Sequence, residues 1–549
     1  VSQKVKQLLK KIPGSAGLYW RLIGSRKPWK AHFRLDGLKK VLPQAVAEAA
    51  ALKKKAADPK KICVFSTLHY WIEQSMLVGL GLAGFGHEIV FSWLPYADWD
   101  QAISLFDLRE QDHYCRDILR PAARVMTLES LLEPALAAGK TPRLSVDLQA
   151  IVDKVSDYDT QYTLQIEETD KTSALYKLRQ QRNAQAAAAL TAWLKRESPD
   201  LLIVPNGTIL EMGVAWQIAS LLGIPTVTFE FADQQERIWI AQNDEIMSHH
   251  TDKLWQGLGG QPLPEKARQA LLELFAARKH ARLWGNFARQ WQQNPVLGGA
   301  SVRENLRLDA RPLALLATNV LGDSLTLGRQ RITSTMAEMI VGTIGYFIRH
   351  PQLQLVVRVH PGELKTHGTS MVEVIEKAFP TLPENIHIIR PEDKTNTYDL
   401  VEIADFGLVY TTTVGLEMAM AGLPVIVTGK THYAEKGFTW EPNSWQDYED
   451  LLTKIGGAPQ QWRLSREQIE KAWLYAYLFF FEFSLPFPWH ILWMNQDFQN
   501  RSIRQVLSPE GEAKYGLTFA YLAGKPLDWA ARGLARLDSL CLQEEPSHD

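Results

Sequence analysis

Short apolar runs alternate with longer stretches of helical spacing along most of this 549-residue chain. Residues 62–66 (Ile-Cys-Val-Phe-Ser) are apolar and partly β-branched, and predict a buried strand. Residues 68–84 carry Trp71, Met76, Leu77 and Leu80 at helical spacing and end in glycines, which stop a helix. Residues 88–92 predict the next strand, so the opening is a βαβ unit with parallel strands. An Ala-, Gln- and Arg-rich stretch over 158–197 predicts a long helix, followed by a strand at 201–205, a helix at 213–222 and a strand at 226–229. Residues 261–310 are polar with a helical pattern and predict a bridge. A second series then begins, with strands at 313–317, 353–358, 386–389, 406–410 and 425–427 and helices at 335–349 and 415–421. After residue 463 the chain is helical and aromatic, from Trp473 to Phe483, a pattern that predicts core packing.

Two βα series separated by a linker predict an α/β protein with two doubly wound, parallel-sheet domains. Ligands of such sheets sit outside the carboxyl ends of the strands, here in an expected cleft between domains. The expected division is a basic helical arm over 1–60, an N-terminal domain with a helical insertion over 61–300, a C-terminal domain over 301–465, and a helical tail over 466–549 packing across both.

Composition changes this picture in one place. The net charge of −1 gives no argument for nucleic acid. Residues 1–61, however, hold sixteen Lys or Arg against three Asp or Glu, interleaved with Leu18, Trp20, Leu22 and Trp29. Such a segment suits the inner face of a cytoplasmic membrane, with peripheral contact to anionic headgroups. A basic arm packed on the protein's own acidic surface is the alternative. Three cysteines without metal-ligand spacing fit a reducing cytoplasm. The basic start lacks the apolar core of a secretory leader, and the aromatic run at 473–493 is too broken to span a membrane.

Three segments carry candidate chemistry, each just past a predicted strand. In Arg358-Val-His-Pro-Gly-Glu363 a strand delivers Arg358 and His360 to a Pro-Gly turn. A fixed positive charge beside an adjustable donor suits a phosphate. In Tyr410-Thr-Thr-Thr-Val-Gly-Leu-Glu417 a buried strand ends in Thr411, Thr412 and Thr413 and a helix begins, where hydroxyls and free N–H groups favour an anion. Glu417 lies in the first turns, in reach of ribose hydroxyls; a plain helix cap would explain one threonine but not three. The loop Gly429-Lys-Thr-His-Tyr-Ala-Glu-Lys-Gly-Phe-Thr439 offers Lys430, His432 and Tyr433 to close over a nucleotide diphosphate. Asp98-Trp-Asp100 matches a short metal signature but lies in a loop after Pro95 and reads as chance, so no metal site is expected.

These three motifs together resemble the capsule polysaccharide biosynthesis glycosyltransferases, which include transferases of Kdo and related surface sugars. The resemblance runs from about residue 313 to 439 and weakens over 62–243. It implies a GT-B fold of two Rossmann-like domains, an acceptor domain first and a nucleotide-sugar donor domain second. It implies a metal-independent, inverting transfer with no cofactor besides the donor, onto a surface polysaccharide or lipid-linked acceptor of capsule or lipopolysaccharide type. By the same resemblance His360, Thr411, Thr412 and Thr413 contact donor phosphate and Glu417 binds ribose or base; Arg358, Glu363, Lys430, His432 and Tyr433 complete the expected donor site. Many GT-B enzymes carry a second Glu eight positions before the one like Glu417; here that place is Val409, a departure that favours a CMP-linked or less common donor. A CDP-glycerol-type polyol-phosphate transferase and a nucleotide-sugar 2-epimerase are the alternatives.

Inverting transfer needs a base for the acceptor hydroxyl. Candidates at strand ends are His69, Glu230 and Asp323, with Glu73, Asn206 and Asp233 as acceptor contacts. Glu230 ends an apolar strand, where burial would raise its pKa toward a useful range; bracing of the next loop is the alternative role.

Overall fold

A computed structural model describes residues 10, 12, 14–26, 29, 31–285, 287, 292, 294–366 and 368–542. Its strands are β1 (Lys61–Thr67), β2 (Glu88–Leu94), β3 (Thr127–Ser130), β4 (Leu201–Pro205), β5 (Thr226–Phe231), β6 (Arg237–Gln242), β7 (Leu313–Ala317), β8 (Gln354–Arg358), β9 (Ile386–Ile389), β10 (Phe406–Val409), β11 (Val425–Val427) and β12 (Leu485–Pro486). The chain divides into two compact units. The first comprises Val1–Thr160, Asp170–Met247 and Leu485–Leu527, and the second Gln161–Thr169, Ser248–Ser484 and Asp528–Asp549.

The first unit is built on a seven-stranded sheet in the order β12-β6-β5-β4-β1-β2-β3. The five strands from β5 to β3 are parallel, while β6 and β12 extend the edge antiparallel. β1 is buried at every position after Lys61, as a parallel strand covered on both faces must be. Arg179 is fully buried and ties three helices together. Its Nε donates to Asp159 at 2.9 Å and its Nη2 to Glu211 at 2.8 Å. The helix expected over 158–197 is two helices, Val146–Leu164 and Ala174–Glu197. The break is marked by Gln165 at φ 54, and Ser173 caps the second helix by accepting from the Tyr176 N–H.

The second unit holds a five-stranded parallel sheet in the order β11-β10-β7-β8-β9. One face packs Leu355, Val357 and Val359 against Met336, Ile340, Ile344 and Phe347 of the helix Met336–Arg349 and against Leu452 and Ile455. Both sheets are doubly wound α/β sheets, as expected. The boundaries differ from the expected domains: the second unit begins at Ser248 rather than at 301, and it takes in Gln161–Thr169. Among the described residues of the expected helical bridge, Glu265–Lys279 and Gly299–Asn305 alone are helical. The arm and residues Leu485–Leu527 belong to the first unit.

Candidate functional site

In the second sheet the winding reverses between β7 and β10, which lie side by side in register from Ala314↔Phe406 to Ala317↔Val409. Loops leaving these two strands diverge, and the crevice they leave is the ligand position of doubly wound sheets. Thr318 and Asn319 follow β7, His360 follows β8 after one residue, and Tyr410 to Thr413 follow β10. The loops are cross-braced. Asn319 Oδ1 accepts the Thr411 N–H at 3.2 Å, and Thr318 Oγ1 accepts the His360 N–H at 3.0 Å. Neither Thr318 nor Asn319 is among the expected site residues; the polar pair directly after an apolar strand was the available signal.

The imidazole of His360 is set by its own turn. Nδ1 accepts the Gly362 N–H at 2.9 Å, so Nδ1 carries no proton and Nε2 carries it in the neutral ring. Burial lowers its pKa, and the Arg358 charge acts the same way while Asp323 opposes it. His360 is therefore a neutral, oriented donor. Arg358 is 4% exposed. Its Nη1 donates to the Arg390 carbonyl at 2.7 Å, while Nε is buried with no hydrogen-bond partner. Burial also pulls the guanidinium pKa down, with Asp393 and Glu392 holding it up. A buried charge without a close counter-ion is costly, so a ligand anion suits this position. Arg358 also lines a small surface cleft with Asn294, Asp393, Thr395 and Asn396.

Thr411 and Thr412 are buried, and no hydrogen bond is made by Thr411 Oγ1. Thr413 opens the helix Val414–Met420 without a side-chain cap. The capping role thus leaves these hydroxyls unexplained. The seven-residue helix is too short for its dipole to carry the argument. The backbone of the turn is held from behind: Thr431 Oγ1 donates to the Thr411 carbonyl at 3.2 Å and the Tyr433 hydroxyl to the Thr412 carbonyl at 2.6 Å.

Several expected donor contacts have other engagements. Glu363 accepts from Ser370 Oγ at 2.6 Å and from the Met371 N–H, closing the N-terminus of the helix Met371–Ala378. Glu417 pairs with Arg278 at 2.9 Å and also bonds Tyr398; burial raises its pKa against these partners. Tyr433 is fully buried and braces Thr412. His432 stacks on Phe479 with centroids 3.9 Å apart, its Nδ1 lies 2.9 Å from the Tyr475 hydroxyl, and burial holds its pKa well below the usual value. The loop 429–439 is therefore packed support for the turn rather than a cover over it. Lys430 alone among its expected contacts is exposed, with its N–H on the Arg329 carbonyl at 2.9 Å.

Asp323 caps its own turn through the Leu325 N–H at 2.8 Å and acts on His360 through charge. Glu167, unforeseen in the sequence, accepts the Met336 and Ala337 N–H groups at 2.6 and 2.8 Å. A protein carboxylate thus fills the N-terminus of the first helix after β7.

In the first unit the winding reverses between β1 and β4. Glu230 accepts from Asn206 Nδ2 at 3.1 Å, and Asn206 Oδ1 accepts the Thr208 and Ile209 N–H groups. These two brace the turn after β4, where Asn206 sits at φ 60. Glu73 accepts the Leu38 N–H at 2.8 Å at the start of the helix Asp36–Ala51, and burial pushes its pKa up to about 7. It closes a helix end rather than meeting an acceptor. Asp233 is half-buried in the bend between β5 and β6. His69 opens the helix His69–Gly84 behind Leu68, which is held at φ 61. Its Nδ1 is buried with no partner, and burial, aided by His32, keeps its pKa low. Among the described residues no group of three or more His, Cys, Asp or Glu side chains could hold a metal ion.

No family model matches the chain, and no curated protein matches it. A search of solved structures gives a Neisseria meningitidis UDP-GlcNAc 2-epimerase bound to UDP-GlcNAc, 12% identical over 76% of this chain and 99% of that one, with a TM-score of 0.24. It also gives the beta Kdo 2,7 transferase of Thermosulfurimonas dismutans KpsC, 12% identical over 57% of this chain and 88% of that one, with a TM-score of 0.31. The beta Kdo 2,4 transferase of the same KpsC is 18% identical over 50% of this chain and 78% of that one, with a TM-score of 0.33.

Proposed function

We propose that this chain is a nucleotide-sugar-dependent glycosyltransferase whose second unit holds the donor phosphate at the β7–β10 switch point. The observation that carries the reading is the set of unmatched donors at the carboxyl ends of β8 and β10. Thr411 Oγ1 and Arg358 Nε are buried without hydrogen-bond partners, and His360 presents Nε2–H from a fixed ring. Two neutral donors and one guanidinium suit a phosphate oxygen cluster. The motifs around Arg358 and Thr411 add the resemblance to surface-polysaccharide transferases, and with it a CMP-type or related donor and a glycan or lipid-linked acceptor.

In the reaction an acceptor hydroxyl oxygen attacks the anomeric carbon. The bond from that carbon to the nucleotide oxygen breaks, and negative charge grows on the leaving phosphate. His360, Thr411 and Arg358 act on that charge, and groups already oriented do so without reorganising. The acceptor proton goes to a base. Among the expected candidates Glu230 and Asp323 are tied into turns, while Nδ1 of His69 makes no hydrogen bond.

A thermal-shift screen with CMP, CDP, UDP, GDP and dTDP tests the binding. One nucleotide at about 100 times its Kd should add about 2.7 kcal/mol of stability. No shift with any of them defeats the reading. Incubation with the matching sugar nucleotide then separates the chemistry, since donor turnover without acceptor would make the chain an epimerase.

A further inference from the structure

The helix Ser15–Leu22 is apolar on two sides. Its inner side, Ala16, Tyr19 and Trp20, is buried. Tyr19 packs on Phe106 with centroids 5.5 Å apart, and Trp20 Nε1 donates to Asp117 at 2.8 Å, so the helix is fixed to the helix Leu105–Leu119. Trp29 stacks on Tyr114 with centroids 4.3 Å apart. A surface helix anchored in this way normally turns a polar side to water. Here the outer side presents Leu18 at 60% and Leu22 at 57% exposure, one turn apart, with Ile12 at 54% just before the helix. Between and beside them stand exposed Arg21 and Arg26. Leu105, the first residue of the supporting helix, is 56% exposed as well.

The acids of that supporting helix are engaged. Lys10 pairs with Asp107, and Asp117 holds Trp20. Residues 12–26 themselves carry two arginines, Arg21 and Arg26, and no acid. Aliphatic side chains projecting from a basic surface match the boundary between headgroups and acyl chains, with leucines entering and arginines meeting phosphates. No helix among the described residues is long and apolar enough to cross a membrane, so the contact is one of surface docking.

We propose that the outer face of residues 12–26 docks the chain onto an anionic lipid surface. This does not depend on the assigned transfer reaction. The inner aromatic side is the structural half of the arm, and the outer leucine–arginine side is the docking half.

The test is co-sedimentation of the full chain with vesicles of phosphatidylglycerol and phosphatidylethanolamine, against vesicles of phosphatidylcholine alone. Wild type should bind the anionic vesicles and lose binding as salt rises. Leu18→Glu with Leu22→Glu should weaken binding by about tenfold or more, since two buried aliphatic chains become charges. Arg21→Ala and Arg26→Ala should each weaken it by about fivefold. All four side chains are exposed, so the variants should unfold at the wild-type midpoint, and nucleotide binding should be unchanged. Equal binding of wild type to both vesicle types overturns the proposal. So does undiminished binding by the double glutamate variant, or a wild-type dimer that this variant dissociates, which would give the face to a second copy. Loss of transfer with vesicle binding intact would count against the proposed reaction alone.

Discussion

Thr411→Val separates a ligand contact from a structural one, because the two roles give opposite signs. The substitution removes Oγ1 and keeps the branched shape. In the protein that oxygen is buried and no protein group bonds it. Leaving a buried hydroxyl unsatisfied costs about 1–3 kcal/mol. The backbone groups of residue 411 keep their bonds, to Asn319 Oδ1 and from Thr431 Oγ1. The valine protein should therefore be at least as stable as wild type, and up to about 2 kcal/mol more stable. Binding moves the other way. A hydrogen bond to a charged phosphate contributes about 1.5–3 kcal/mol, so its loss should raise the nucleotide Kd by about 10–100-fold. Urea unfolding without nucleotide measures the first quantity and titration calorimetry the second. A valine variant that binds nucleotide as tightly as wild type would show that Thr411 Oγ1 makes no ligand contact. One destabilised by more than about 1 kcal/mol would mean the hydroxyl is structural.

Other expectations follow from the buried charges. Glu73 has its pKa raised from 4.5 to about 7, so the folded state holds a proton that the unfolded state gives up. The stability it contributes is present below pH 4.5 and is lost as pH rises through 7; Glu73→Gln should remove that slope and add up to about 3 kcal/mol at pH 8, read by unfolding at both ends of the window. His249 is enclosed by Phe479, Phe483 and His432, and burial pushes its pKa down to about 3. Its unfolded form takes up a proton below 6.5 that the folded form refuses, so stability falls as pH drops from 6.5 toward 3; His249→Phe should flatten that fall, and an unchanged pH profile would count against the burial. Arg278→Met leaves Glu417 buried and unpaired and should cost about 3–5 kcal/mol, whereas the double variant with Glu417→Gln should recover most of it in thermal unfolding.

The parallel strands were legible because burial on both faces writes them as continuous apolar runs. β1, β4, β7, β8 and β10 fall within a residue or two of their expected bounds. β3 was not legible, since Thr-Leu-Glu-Ser at a sheet edge is largely unburied. Nor was β12, two residues recruited to β6 from far along the chain. The strand mouths of the site were readable because Thr, His and Arg stand directly after apolar runs. Side-chain partners were not. Glu417 and Arg278 lie 139 positions apart, Glu73 closes a helix that starts 37 residues earlier, and Glu167 reaches an N-terminus about 170 residues onward. Such pairs depend on which surfaces meet after folding, and a carboxylate free to bind a sugar has the same local sequence as one closing a helix.

A crystal structure of the chain with the nucleotide that gives the greatest thermal shift would show whether the donors at the ends of β8 and β10 hold its phosphate. Phosphate oxygens should lie within hydrogen-bond distance of His360 Nε2 and Thr411 Oγ1, with Arg358 Nε turned to the same anion. Phosphate bound elsewhere, with Thr411 Oγ1 still unpartnered, would contradict the proposed donor site.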